Sequence, residues 1–256
     1  MIPKIIHQIG PKNKNLWHPI WKKCHQSWKR NFPESEFKHI LWEDSDEIDN
    51  LVRTKFSNYW DYYVQLPMHM LKIDFARLCI LYTYGGIFAD LDFYCYSNFY
   101  LELIDELYVL QSFEQEYTDV ENPLMASIPN NKFFLNCLEK SKLIYKTFEE
   151  NKKFTIEDAL YEHFIAGPGL VDLVYKEYGG KVSKLPHEVY NPFFDVYNEN
   201  VKTKHFGTGM WGITTLEDIL ERYKIDDCND TTFLNHYQKF RLDKFPELKK
   251  YLNKLE

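Results

Sequence analysis

No apolar run in this sequence approaches the roughly 20 residues that a bilayer-crossing helix needs, so no transmembrane segment is expected. The opening "MIPKIIHQIG" has no basic stretch leading into a long apolar one, which leaves no sign of a secretory signal. Cysteine is scarce: Cys24, Cys79, Cys95, Cys137 and Cys228 are odd in number and show no CxxC spacing. That excludes a disulfide framework and a thiolate zinc site, and it fits buried thiols in a reducing, cytoplasmic compartment. Positive charge is in deficit, with 31 Lys and Arg against 38 Asp and Glu and a net charge of −7, which argues against nucleic acid as a partner. The locally basic "WKKCHQSWKR" reads as a solvated helix face. Internal repeats and low-complexity linkers are also missing.

What is present is globular: 256 residues, 45% hydrophobic and 27% charged. Such a chain can bury a substantial core, and one mixed α/β domain over residues 1–256, with a helical segment at about 215–256, is the economical organisation. Aromatics reach 17%, including 19 Tyr and 19 Phe, but rings that fill a core and rings that stack on sugars look alike in composition.

"IPKIIHQI" at residues 2–9 predicts a buried strand, "LWHPIWKKCHQSWKRNF" a helix, and residues 37–42 a second strand, which together suggest a parallel βαβ pair. Leu71, Phe75, Leu78 and Tyr82 recur at helical spacing from about Met68 to Tyr82. "YGG" then ends that helix, because glycine supplies the backbone angles that a helix C-terminus requires. Further helices are expected near 131–148, 156–165, 215–223 and 232–254, with "AGPGL" and "KHFGTGMWG" as glycine-rich loops.

The stretch "IFADLDFY" carries the chemistry. As a strand it would put Asp90 and Asp92 on one face, with Cα atoms about 6.7 Å apart. Two carboxylates in an apolar run are costly to bury without a reason, and a shared divalent cation is one. Carboxylate oxygens suit Mg²⁺ or Mn²⁺, which in turn neutralises a diphosphate. A pair of solvated acids at a strand end is the plain alternative. Asp74 and Arg77, three apart on the preceding helix, share a face that the glycine turn brings back beside the Asp-x-Asp. They read either as a structural ion pair or as groups that place a sugar.

These residues also carry a resemblance. Lys72, Asp74, Arg77, Tyr84, Gly85, Gly86, Phe88, Asp90 and Asp92 stand in the order found in glycosyltransferase family 32, the DXD-containing sugar transferases. A more distant likeness is to the catalytic domains of clostridial glucosylating toxins. The resemblance implies a GT-A fold with a mixed central sheet flanked by helices, a nucleotide-sugar donor, a glycan or other hydroxyl acceptor, a divalent metal (Mn²⁺ or Mg²⁺) and transfer with retention at the anomeric carbon. It implies Asp90, Asp92 and His205 as metal ligands, and Asp74, Arg77, Asp90 and Asp92 as the catalytic set. On the donor side it implies Gln8, Ile9, Trp42, Lys72, Asp74, Arg77, Asp90, Gly207 and Trp211. UDP-sugars come first as donors and GDP-mannose second. The chain departs from the family pattern at Gly10 and Pro11, where many relatives carry a tryptophan, so that Trp42 stands as the substitute ring. Its C-terminal "HFGTGMWG" is closer to the loop of glycogenin-like transferases. The rival readings are a haloacid dehalogenase-like phosphatase, whose Asp-x-Asp sits near the first strand and usually continues to Thr or Val, a glycosidase with paired carboxylates, and a non-catalytic sugar-binding module.

Overall fold

The computed structural model describes residues 1–207 apart from 18, 67, 113–117, 152–164 and 193–198. Strand β1 (Ile5–Gly10) leads through helix α1 (Pro19–Asn31) to β2 (Lys38–Glu43), and the two strands pair in parallel, Ile5 opposite Lys38 and Gly10 opposite Glu43. Helices α2 (Asp46–Lys55) and α3 (Ser57–Gln65) follow, then α4 (His69–Tyr84), β3 (Gly86–Ala89) and β4 (Phe93–Cys95). Beyond them come β5 (Leu107–Gln111), β6 (Val120–Ser127), α5 (Lys132–Asn151), α6 (Pro168–Glu177), β7 (Ser183–Leu185), the single turn α7 (His187–Tyr190) and β8 (Thr203–His205). The main sheet has six strands in the order β2-β1-β3-β6-β5-β7, and β4 pairs with β8 in a small antiparallel sheet of its own.

The main sheet is mixed because β6 runs antiparallel to both β3 and β5, while β1 is parallel to β2 and β3. Its central strands alternate between two cores. Phe88, Val109 and Met125 face one that α2 to α6 cover, whereas Ile87, Ala89, Leu110 and Ala126 face another that holds Trp28 of α1 and Phe32 just beyond it. A strand apolar on both faces is what a three-layer α/β arrangement demands. Helix α4 is the most buried helix: every residue from Asp74 to Leu81 is buried. Among the described residues no helix is long and apolar enough to cross a membrane.

Four expectations need correction. The strand expected through "IFADLDFY" is broken: residues 90–92 leave the main sheet, and Phe93 N–H donates to Asp90 O at 3.0 Å across a tight turn. Asp90 N–H still bonds Pro123 O of β6 at 2.9 Å, the last link to the main sheet, and β3 ends there, where aspartate favours a turn. "AGPGL" is not wholly loop, since Pro168 opens α6, where a missing N–H costs nothing. His205 lies on β8 and not in a loop. The first strand starts at Ile5, although Ile2 is already buried. The helices expected near 215–223 and 232–254 lie outside the described residues, and so does that near 156–165 except for Ile165.

Candidate functional site

A cleft opens over the C-terminal ends of β1, β2 and β3, lined among others by Ile9, Gly10, Arg77, Asp90, Asp92 and His205. Ligands collect at this edge of an open α/β sheet because the loops there diverge to either side of adjacent strands.

Two consecutive glycines make the turn from α4 into β3. Gly85 ends α4 at φ +62°, and Gly86 starts β3 at φ +92°, a region closed to most side chains. A Cβ on Gly86 would stand 2.6 Å from Ile5 O, and one on Gly85 would stand 2.6 Å from Ser127 O, so the turn is packed against backbone on both sides. This tight reversal returns the chain from α4 straight into β3. It thereby sets Asp90 beside Arg77.

Arg77 is the centre of the polar network. Its Nη2 donates to Asp74 Oδ1 at 2.6 Å, and its Nη1 lies 3.1 and 3.3 Å from the two oxygens of Asp90. The same Nη1 donates to Asn122 O at 3.1 Å, and the guanidinium sits 5.1 Å from the centre of the Phe88 ring. Asn122 also donates from Nδ2 to Asp74 Oδ1 at 3.2 Å. Two buried atoms have no partner here: Asp74 Oδ2 and Arg77 Nε.

His205 arrives from the other end of the chain. The β4–β8 ladder sets it directly opposite Phe93, on whose ring it stacks with centroids 5.0 Å apart and planes 15° off parallel. Its main-chain N–H donates to Asn191 Oδ1 at 3.2 Å, and its Nε2 lies 3.1 Å from Asp92 Oδ1. Phe206 N–H donates to Asp92 O at 3.0 Å, which ties the strand to the turn a second time.

Asp90, Asp92 and His205 therefore each present a ligand atom, all within 4.8 Å of one another. Burial pushes the Asp74 carboxyl up to about 7 against the pull of Arg77, and burial also raises Asp90, with Asp92 adding to it. Burial alone would lower the His205 imidazole, but Asp92 and Asp90 outweigh it and hold it above its ordinary value. Three carboxylates around one guanidinium leave an excess of negative charge. Two hard oxygens with one imidazole nitrogen form a donor set suited to Mn²⁺ or Mg²⁺, so the residues present fit a divalent cation.

Of the residues singled out from the sequence, Ile9, Arg77, Asp90, Asp92, His205 and Gly207 border the cleft. Asp74 is fully buried behind Arg77. Gln8 is turned inward, accepting from His25 Nδ1 at 2.7 Å and reaching Asp90 O at 3.4 Å. Trp42 donates from Nε1 to His7 Nδ1 at 3.1 Å and packs on Tyr84, while Lys72 Nζ lies 5.5 Å from the Tyr63 ring centre. None of these three lines the cleft. Trp211 lies outside the described residues. Sequence reasoning missed Asn122, Asn191 and Asp44. Asp44 follows the end of β2 directly, and the cleft-facing end of a parallel strand was the available signal for it.

Comparison with known proteins agrees with this geometry. Residues 19–114 match the family described as "Glycosyltransferase sugar-binding region containing DXD motif". Inositol phosphoceramide mannosyltransferase 1 of Schizosaccharomyces pombe is 30% identical over 149 residues, 57% of this chain and 45% of that protein. An uncharacterized glycosyltransferase of Acanthamoeba polyphaga mimivirus is 32% identical over 138 residues, 52% of this chain and 53% of the other. The chain thus spans about half the length of the curated relatives it matches. Among solved structures, PaToxG glycosyltransferase superposes with a TM-score of 0.52 at 20% identity, covering 70% of this chain and 71% of that one, which is a likeness of GT-A fold. From Asp74 and Arg77 on α4 to the Asp90–Asp92 turn, the site residues lie within the stretch, 19–114, that is similar to the DXD-containing glycosyltransferases.

Proposed function

We propose that this chain is a divalent-metal-dependent glycosyltransferase that moves a hexose from a nucleotide-sugar donor to a hydroxyl acceptor, with retention at the anomeric carbon. The observation that carries the reading is the convergence of Asp90, Asp92 and His205 in an open cleft beside Arg77. Asp90, Asp92 and His205 would hold Mn²⁺ or Mg²⁺, and that ion would supply charge neutralisation for the departing nucleoside diphosphate. Arg77 is fixed by Asp74 and Asn122 and offers a preorganised positive charge at the cleft wall, where charge develops on the leaving group. Asp74 then acts as a positioning residue.

Mannose is one hexose to test first, because relatives are named mannosyltransferases; the donors are then GDP-mannose and UDP-hexoses. A glycan or glycoconjugate is the acceptor in this proposal, and one domain carries the whole reaction. A reducing cytoplasmic location belongs to it too, and the four described cysteines, all buried and none in a disulfide, are compatible with that.

The test is donor hydrolysis and transfer with a panel of nucleotide sugars, with Mn²⁺ and with chelator. Activity that needs the ion, and that falls about 10²–10³-fold in Asp92→Asn while the fold persists, is the expected result. Near-normal turnover in Asp92→Asn or in chelator would remove the metal-site reading.

A further inference from the structure

Helix α1 carries polar groups that the nucleotide-sugar reading does not use. The basic residues of "WKKCHQSWKR" point outward, with Lys22, Lys29 and Arg30 exposed, while Trp28 is fully buried and His25 half-buried. His25 and Trp28 are three apart and therefore share one face of the helix. That face meets the Asp90–Asp92 turn. Trp28 Nε1 donates to Phe93 O at 2.7 Å. His25 reaches the turn through Gln8: His25 Nδ1 donates to Gln8 Oε1 at 2.7 Å, and Gln8 Nε2 donates to Asp90 O at 3.4 Å.

Donor chemistry orients this relay. Asp90 O only accepts, so the Gln8 amide turns its nitrogen to that carbonyl and its oxygen to His25, which requires the proton on Nδ1. Gln8 is 2% exposed, and Asp90 O is its one acceptor among the described residues. An amide turned the other way would bury oxygen against oxygen and leave its own N–H groups without an acceptor there.

Asp90 and Phe93 are the two ends of the turn, closed by the 3.0 Å bond from Phe93 N–H to Asp90 O. Holding both carbonyls fixes the peptide planes on either side of Asp92, and with them the directions of the two carboxylates. The imidazole of the cluster belongs to the same frame, because His205 stacks on the Phe93 ring. Ser27 Oγ accepts from Cys95 N–H at 2.8 Å and Asn31 Nδ2 donates to Cys95 O at 2.9 Å, so β4 is also pinned against α1.

We propose that His25, acting through Gln8, and Trp28 are positioning residues that hold the Asp90–Phe93 turn in the shape in which Asp90, Asp92 and His205 share one divalent cation. Neither is itself a ligand. The inference rests on the metal-site reading above.

Mn²⁺ titration of the full chain, followed by the paramagnetic resonance signal of the free ion, tests it alongside thermal melting. His25→Leu removes the N–H and should weaken Mn²⁺ binding about ten- to a hundredfold, the usual effect of losing a group that orients metal ligands. His25→Asn places an amide N–H where Nδ1 stands and should restore most of the affinity. Trp28→Phe keeps a ring in the core but loses the bond to Phe93 O, so it should weaken Mn²⁺ as His25→Leu does. A role confined to packing would lower the melting temperature and leave the Mn²⁺ affinity of the folded protein unchanged, which overturns the assignment. Equal weakening in His25→Leu and His25→Asn overturns it too, since the hydrogen bond would then not matter. If Trp28→Phe fails to fold, the two His25 variants decide. Asp92→Asn keeps this inference apart from the reading beneath it. Normal Mn²⁺ binding in that variant overturns the metal site and the positioning role together, whereas loss of the ion in Asp92→Asn alone overturns only the positioning role.

Discussion

Arg77 is 2% exposed and so carries a charge almost wholly removed from water, stabilised only by the groups around it. Asp74 is the closest of these, at 2.6 Å. Breaking a buried pair by deleting one member leaves the other charge uncompensated, which costs about 3–5 kcal/mol. Asp74→Ala should therefore lower stability by about that amount in urea denaturation, and donor turnover should fall with it because Arg77 loses its anchor. A loss below about 1 kcal/mol would show that Asp90 and Asn122 O suffice to hold the guanidinium. At this scale the sequence was legible wherever chemistry is tied to residue type: carboxylates two apart and an Asp–Arg pair three apart on a helix signal themselves. Asn122 was not legible, because its role depends on β6 lying alongside α4, and nothing local to "ENPLMAS" specifies that neighbour.

Between elements, the α4–β3 reversal is the feature on which the cleft depends. Gly86 sits at φ +92°, and an added Cβ would meet Ile5 O at 2.6 Å and Ile5 Cβ at 3.1 Å. Ile5 belongs to the adjacent β1, so it cannot move without shifting the sheet. Gly86→Ala should cost at least ~2 kcal/mol from the unfavourable backbone angle and the crowding together. An urea midpoint within error of the unsubstituted chain would mean that the turn can relax. This reversal was readable because glycine pairs after an amphipathic run have few other uses. The turn at Asp90–Asp92 was not: an apolar run with aspartates at alternate positions satisfies strand periodicity equally well, and only the turn bond from Phe93 N–H to Asp90 O decides otherwise. Helix α3 escaped for a related reason, since its buried face is Tyr59, Tyr62 and Tyr63, residues that periodicity counts as neither firmly apolar nor polar.

At the scale of the whole molecule, two buried groups make stability depend on pH in opposite senses. His7 on β1 is fully buried, with Nε2 3.0 Å from Gly85 O and Nδ1 3.1 Å from Trp42 Nε1. The indole N–H can only donate, so Nδ1 accepts and Nε2–H donates to the carbonyl: a neutral ring with both nitrogens used. Burial lowers its pKa from 6.5 to about 4. Between those values the unfolded chain holds the extra proton, so this contribution is complete above pH 6.5 and is lost as pH falls toward 4, a change of about 3 kcal/mol. Asp74 runs the other way. Burial raises its carboxyl from 3.8 to about 7, so the folded chain holds the extra proton in that window and stability declines as pH rises through it. Urea denaturation of the unsubstituted chain, His7→Gln and Asp74→Asn from about pH 4 to pH 7 separates the two. His7→Gln should remove part of the rise in stability with pH, and Asp74→Asn should make the rise steeper because the opposing term is gone. Parallel pH curves for the three proteins would mean that neither group changes its proton affinity on folding. The two substitutions flank the same glycine turn, His7 bonding to Gly85 and Asp74 lying on α4, so their opposite slopes also distinguish titration from a common loss of packing, which would move both curves the same way.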